Sequence, residues 1–133
     1  MLCFYLLMRT KKTRHAVYNI NYHLVWCSKY HKQILVGEVK DLVENTIKEV
    51  CTQRGWELIS LSVQPDHLHT FVSVSPIFAP MFVVKVLKGA TAVRAVKEHR
   101  FAKRFWSPSY YVGTAGTVTE QTIQKYIKEQ ETR

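Results

Sequence analysis

At 133 residues, 47% of them hydrophobic, the chain has room for one domain with its own core. Nineteen Lys and Arg against ten Asp and Glu leave a formal charge of +9, which points to a polyanionic partner, most simply nucleic acid, although ribosomal RNA and membranes attract small basic proteins too. The cysteines Cys3, Cys27 and Cys51 are odd in number and widely spaced; no pair has metal-ligand spacing, no disulfide framework is suggested, and a reducing, cytoplasmic compartment is expected.

Residues 1–133 read as a single domain without linker or repeat. The apolar run Leu2 to Met8 is too short to span a bilayer and lacks the basic residues that precede a signal-peptide core, so no membrane is implicated. Residues 1–8 read as an N-terminal extension. Arg9, Lys11, Lys12 and Arg14 form a basic cluster, with Arg14 a candidate phosphate contact. Residues 16–27 alternate as one strand: Tyr18, Ile20, Tyr22, Leu24 and Trp26 take a core face, and Asn19, Asn21 and His23 a wet or functional one. His23 is thereby a candidate neighbour of an active site. Lys29, Tyr30, His31 and Lys32 then make a basic, aromatic loop that can stack a base or hold a phosphate.

Val39, Leu42, Val43, Ile47 and Val50 predict a helix over 38–54, ended by Gly55 as a left-handed cap. Trp56 to Gln64 reads as the second strand, and Pro65-Asp66 as a tight connection into a third. That third strand opens His67-Leu68-His69. Side chains alternate along a strand, so the two imidazoles share one face while Leu68 anchors the other. Such a pair is half a metal site, but taken alone it is more often two ordinary strand histidines.

Pro80 can begin a second helix, with Val83, Val84, Leu87, Ala90, Val93 and Val96 as its apolar stripe. Lys85, Lys88, Arg94 and Lys97 make this segment strongly basic and are candidate DNA contacts, as is Lys29. Residues 105–112 read as the last strand, with Gly113 and Gly116 as a hinge. Thr117 and Glu120 form a capping box for a final helix over 117–131, read as mobile, which puts Tyr126 and Gln130 one turn apart on one face. Tyr126 is a candidate nucleophile and Gln130 a neutral oxygen donor. Tyr110 and Tyr111 are rival nucleophiles, but neither has a helical glutamine partner.

The order β-α-β-β-α-β with a trailing helix is the α+β, ferredoxin-like (RRM-like) pattern. The set PDHLH, YIKEQ, HLVWCSKY, VLKGATAVR and FWSPSYYVGTAGTVTE, in that family's order along the chain, resembles the small single-tyrosine HUH transposases, which mobilise insertion sequences as single-stranded DNA. The resemblance implies a homodimer, recognition of DNA hairpins near the element's ends, and a divalent cation. It also selects Tyr126 as the residue that becomes covalently joined to DNA. His67, His69 and Gln130 are the expected ligands of that cation, Mg²⁺ or Mn²⁺. The competing expectation is a ferredoxin-like module that binds single-stranded nucleic acid without chemistry, which leaves the paired histidines idle.

Overall fold

Alternation in the first strand does place Tyr22, Leu24 and Trp26 in the core, where all three are buried. The computed structural model describes residues 11–12, 17–18, 20–99 and 105–115. The 1–8 extension, Arg14, Gly116 and the 117–131 helix with Tyr126 and Gln130 lie outside the described residues. The expected strand over 16–27 is two pieces. Strand β1 (Lys11–Lys12) pairs antiparallel with β2 (Val17–Tyr18), apart from the main sheet, which begins at β3 (Asn21–Cys27).

Helix α1 (Gly37–Arg54) follows, burying Val43, Thr46, Ile47, Val50 and Cys51. Gly55 closes it at φ 71°, its N–H donating back to the carbonyls of Cys51 and Thr52, the left-handed cap its position predicted. Strands β4 (Glu57–Val63) and β5 (His67–Ser73) form the expected hairpin. Helix α2 (Pro80–His99) starts at Pro80. Its buried face differs from the expected stripe: Val93 is 67% exposed, and Thr91 and Ala95 are buried instead.

The last strand also differs. Trp106 makes only an isolated bridge to Ser28, and the strand proper, β6, is Tyr111–Ala115. Around Pro108, which has no N–H to give a ladder, the register breaks: Val25 pairs with Tyr111 but Ser28 with Trp106. Trp106 is held by its buried indole N–H, which donates to Thr91 Oγ1 at 2.8 Å. Gly113, expected at a hinge, lies within β6 opposite His23. A Cβ there would meet the Tyr111 hydroxyl at 3.1 Å, so glycine at this position lets the Tyr111 ring fold close over the strand.

The sheet runs β4-β5-β3-β6, all antiparallel, with the two helices as the crossovers β3-α1-β4 and β5-α2-β6. This is the ferredoxin-like arrangement. Leu24, Trp26, Leu68 and Val72 from the sheet join Val43 and Ile47 of α1 and Val83 and Leu87 of α2 in one apolar core. The two central strands, β5 and β3, are therefore fixed in register, with Val25 opposite His69 and Cys27 opposite His67. Among the described residues no helix is long and apolar enough to cross a membrane.

Candidate functional site

Leu68, fully buried in the core, sets the phase of β5 and sends His67 and His69 to the other face. Their ring centres are 5.2 Å apart and the rings are nearly perpendicular, at 78°. A metal bound at roughly 2.0–2.1 Å from one nitrogen of each ring places the centres about 4.5–5.5 Å apart by simple trigonometry, so the pair has the spacing a shared ion needs.

Each imidazole has its Nδ1 engaged by a neighbour. His67 Nδ1 donates to Asp66 Oδ1 at 2.7 Å, and His69 Nδ1 is hydrogen-bonded to His23 Nε2 at 3.0 Å. That leaves Nε2 of both rings as the outward donor. His69 Nε2 is buried and has no hydrogen-bond partner among the described residues, so its lone pair is available to an ion. The residues present therefore fit a divalent cation. Among the described residues no group of three or more His, Cys, Asp or Glu side chains could hold a metal, so a further ligand has to be an amide, a water or a residue outside them. Cys51 is no rival donor, since burial pushes its thiol up to about 11.

The face expected to be wet is buried. Asn21, His23, His69 and Phe71 are each at most 4% exposed. Strand parity tells which residues share a face but not whether that face is covered. His23 stacks on Phe71 at 4.3 Å and 5°, and the Tyr111 ring meets it edge-on at 5.9 Å. Burial lowers the pKa of His23 from 6.5 to about 4, helped by His69; burial, then His67, does the same for His69. Both rings are thus neutral at pH 7, the state a ligand requires.

These lowered values set a pH dependence. Between pH 6.5 and about 4 the unfolded chain binds protons at His23 and His69 that the folded chain refuses. Stability of the metal-free protein is therefore complete above pH 6.5 and declines as pH falls through that window, approaching about 1.4 kcal/mol per pH unit for each histidine. Urea midpoints measured from pH 7.5 down to about pH 4.5 check this; a flat profile contradicts the buried neutral pair.

The candidate cations divide. Lys85 and Lys97 on α2 are exposed. Lys88 donates to the carbonyls of Ser107 and Ser109, at 2.6 and 3.4 Å, and burial lowers its pKa. Arg94 pairs with Glu49 Oε2 at 2.7 Å. Lys88 and Arg94 thus have roles within the fold. Arg14, Tyr126 and Gln130 lie outside the described residues. Sequence reasoning passed over Asp66, treating it as a turn residue; its place directly before His67 was the available signal.

A family model described as "Transposase IS200 like" matches residues 16–130. The chain belongs to the IS200-like transposase family. A family relative, the ISDra2 transposase TnpA of Deinococcus radiodurans, is 41% identical over 129 residues, covering 92% of each chain. The transposase for insertion sequence element IS200 of Salmonella typhimurium is 29% identical over 126 residues, covering 90% of this chain and 82% of its own. A crystallised transposase from Deinococcus radiodurans R1 superposes with a TM-score of 0.71 at 40% identity, covering 90% of this chain and 97% of that one. A REP-associated tyrosine transposase bound to a REP hairpin shares the fold, with a TM-score of 0.62 at 13% identity, covering 90% of this chain and 67% of its own.

Proposed function

We propose that this IS200-like transposase excises and inserts its insertion sequence by cutting and rejoining single-stranded DNA through Tyr126. His67, His69 and Gln130 would hold one divalent cation, Mg²⁺ or Mn²⁺. The observation that carries the reading is the pair of β5 imidazoles whose Nδ1 atoms are engaged by Asp66 and His23, which leaves two Nε2 donors for one ion. When bound, that cation supplies Lewis-acid polarisation of the scissile phosphate and holds it for in-line attack.

The remaining chemistry belongs to the chain. Tyr126 gives up its phenolic proton as its oxygen bonds to phosphorus, the P–O3′ bond breaks, and the departing 3′ oxygen takes up a proton. The 5′-phosphotyrosine keeps the phosphoester bond, so a second 3′-hydroxyl can reverse the step and join new strands. No nucleotide triphosphate is required. The formal charge of +9, the exposed Lys85 and Lys97, and the hairpin bound by the REP-associated relative support a DNA hairpin as the recognition element. The acting species is a homodimer in the cytoplasm.

The test is incubation of the full chain with single-stranded DNA from the element's own ends, with Mn²⁺ or with EDTA. A protein–DNA adduct that persists on a denaturing gel and requires the metal is expected. Tight binding with no adduct would favour the non-catalytic module.

In this reading His23 is a positioning residue. For His69 to offer a lone pair at Nε2, its proton sits on Nδ1 and is donated to His23 Nε2. His23→Phe keeps an aromatic ring on Phe71 and removes the acceptor, and Mn²⁺ affinity is expected to fall about 10–100-fold. His23→Gln restores an acceptor and part of the affinity. Titration calorimetry with Mn²⁺ measures both, and ¹⁵N shifts of His69 report its tautomer; equal affinity in parent and His23→Phe refutes the role.

A further inference from the structure

The chain leaves β3 through a single 3₁₀ turn, Lys29–His31, whose backbone is unusual. Tyr30 (φ 59°) and His31 (φ 54°) are consecutive, carry a Cβ, and both lie in the left-handed region. That conformation is costly for such residues and persists only where surroundings impose it. Here they do. Ser28 Oγ donates to the Lys32 carbonyl at 2.6 Å, the Ser28 N–H to the Asp66 carbonyl at 2.9 Å, the His31 N–H to the Ser28 carbonyl at 3.0 Å, and the Lys29 N–H to the Phe105 carbonyl at 3.0 Å. The consequence is that Tyr30, a large aromatic residue, is 74% exposed. The ammonium groups of Lys29 and Lys32 lie 4.9 and 5.9 Å from its ring centre.

The turn is also joined to the histidine pair. Asp66 holds His67 with one carboxylate oxygen at 2.7 Å, and its other oxygen lies 3.6 Å from His31 Nδ1. The Tyr30 ring, exposed to water beside two cations and next in sequence to the His31 that Asp66 links to His67, has no packing role.

We propose that the Lys29–Lys32 turn is a platform for the single-stranded DNA that leads to the cleavage site, on which Tyr30 stacks an unpaired base and Lys29 and Lys32 take the adjoining phosphates. The proposal rests on the DNA-cutting reading for its substrate, and it adds a binding site outside the metal centre. Stacking suits this position because every base presents a π-face, so the platform holds the strand without reading its sequence. The fixed backbone directs the Tyr30 side chain into solvent, so that part of the ordering does not have to be made on binding. Two like charges beside the ring discourage an apolar protein partner and favour a polyanion.

The experiment uses the full chain carrying Tyr126→Phe, so that no strand is cut, and an unstructured single-stranded DNA oligonucleotide with one 2-aminopurine base. Binding is followed by anisotropy and stacking by quenching of 2-aminopurine. Tyr30→Leu is expected to weaken binding roughly tenfold and relieve the quenching, while Tyr30→Phe retains both. Lys29→Gln and Lys32→Gln should each lower the slope of log affinity against log salt by about 0.7. Thermal melting confirms that each variant is folded. Equal affinity and quenching in parent and Tyr30→Leu overturns the platform, as does a parent that neither binds nor quenches, or an RNA oligonucleotide bound in preference to DNA. The adduct assay with Tyr126 restored is read separately: its failure removes the cutting chemistry, whereas a lost Tyr30 effect removes only the platform.

Discussion

Tyr126→Phe is expected to abolish the covalent protein–DNA adduct, lowering its yield by a factor on the order of 10³ or more, while leaving hairpin affinity within about twofold of the parent. The substitution deletes one oxygen and keeps the ring, so whatever the phenyl group packs against is preserved. Only the atom proposed to bond to phosphorus is lost. The informative control is Tyr111→Phe. Tyr111 is the described tyrosine whose ring lies against His23, at 5.9 Å, and it is 48% exposed, so it is the strongest competitor for the role of nucleophile. Tyr110 comes just before β6 and lines a pocket with Met81, Val84, Lys85 and Lys88 of α2 instead. Denaturing-gel adduct yields for Tyr126→Phe and Tyr111→Phe side by side decide the matter. Loss of the adduct in Tyr111→Phe with full yield in Tyr126→Phe moves the nucleophile to β6 and overturns the assignment.

The sheet and its helices were readable because periodicity reports burial directly. The alternation of Tyr22, Leu24 and Trp26 and the helical spacing of Val43, Ile47 and Val50 each carry their own register, and Gly55 marks a helix end that only a residue tolerant of positive φ closes easily. The final strand was misplaced because Trp106, Tyr110 and Tyr111 have strand-like side chains, whereas Pro108 between them removes a backbone donor, and backbone donors decide where a ladder runs. Val93 was misassigned because a helical stripe has a width that apolar residues alone do not define; Thr91 took the buried place by accepting from the Trp106 indole and donating to the Leu87 carbonyl.

At the site, parity placed His67, His69 and His23 on one face, and the geometry agrees. Parity could not say that His23 and His69 would be buried and hydrogen-bonded to each other, since it reports which residues share a face and not what surrounds them. Nor could composition disclose the strained turn at Tyr30 and His31, where non-local hydrogen bonds from Ser28 and Lys29 to Asp66 and Phe105 override local preference.

His67→Ala is expected to remove Mn²⁺-dependent cleavage, with adduct yield falling at least about 10²-fold and binding of Mn²⁺ no longer detectable by calorimetry at concentrations that saturate the parent. His67 is the better of the two histidines to delete. Its side chain is 28% exposed, and its described hydrogen-bond partner is Asp66, so the core formed by Leu68 and Val72 on the same strand stays intact. His69→Ala would in addition leave a gap beside His23 in a buried layer, mixing instability into the readout. Asp66→Asn separates holding the ring from supplying the ligand. The amide oxygen can still accept from His67 Nδ1, but the negative charge that raises the basicity of the ring is gone. Its Mn²⁺ affinity should therefore fall between those of the parent and His67→Ala. If His67→Ala cleaves as well as the parent and remains sensitive to EDTA, the ion is held elsewhere and the β5 pair is not its site. If it cleaves as well and is insensitive to EDTA, the reaction needs no cation at all.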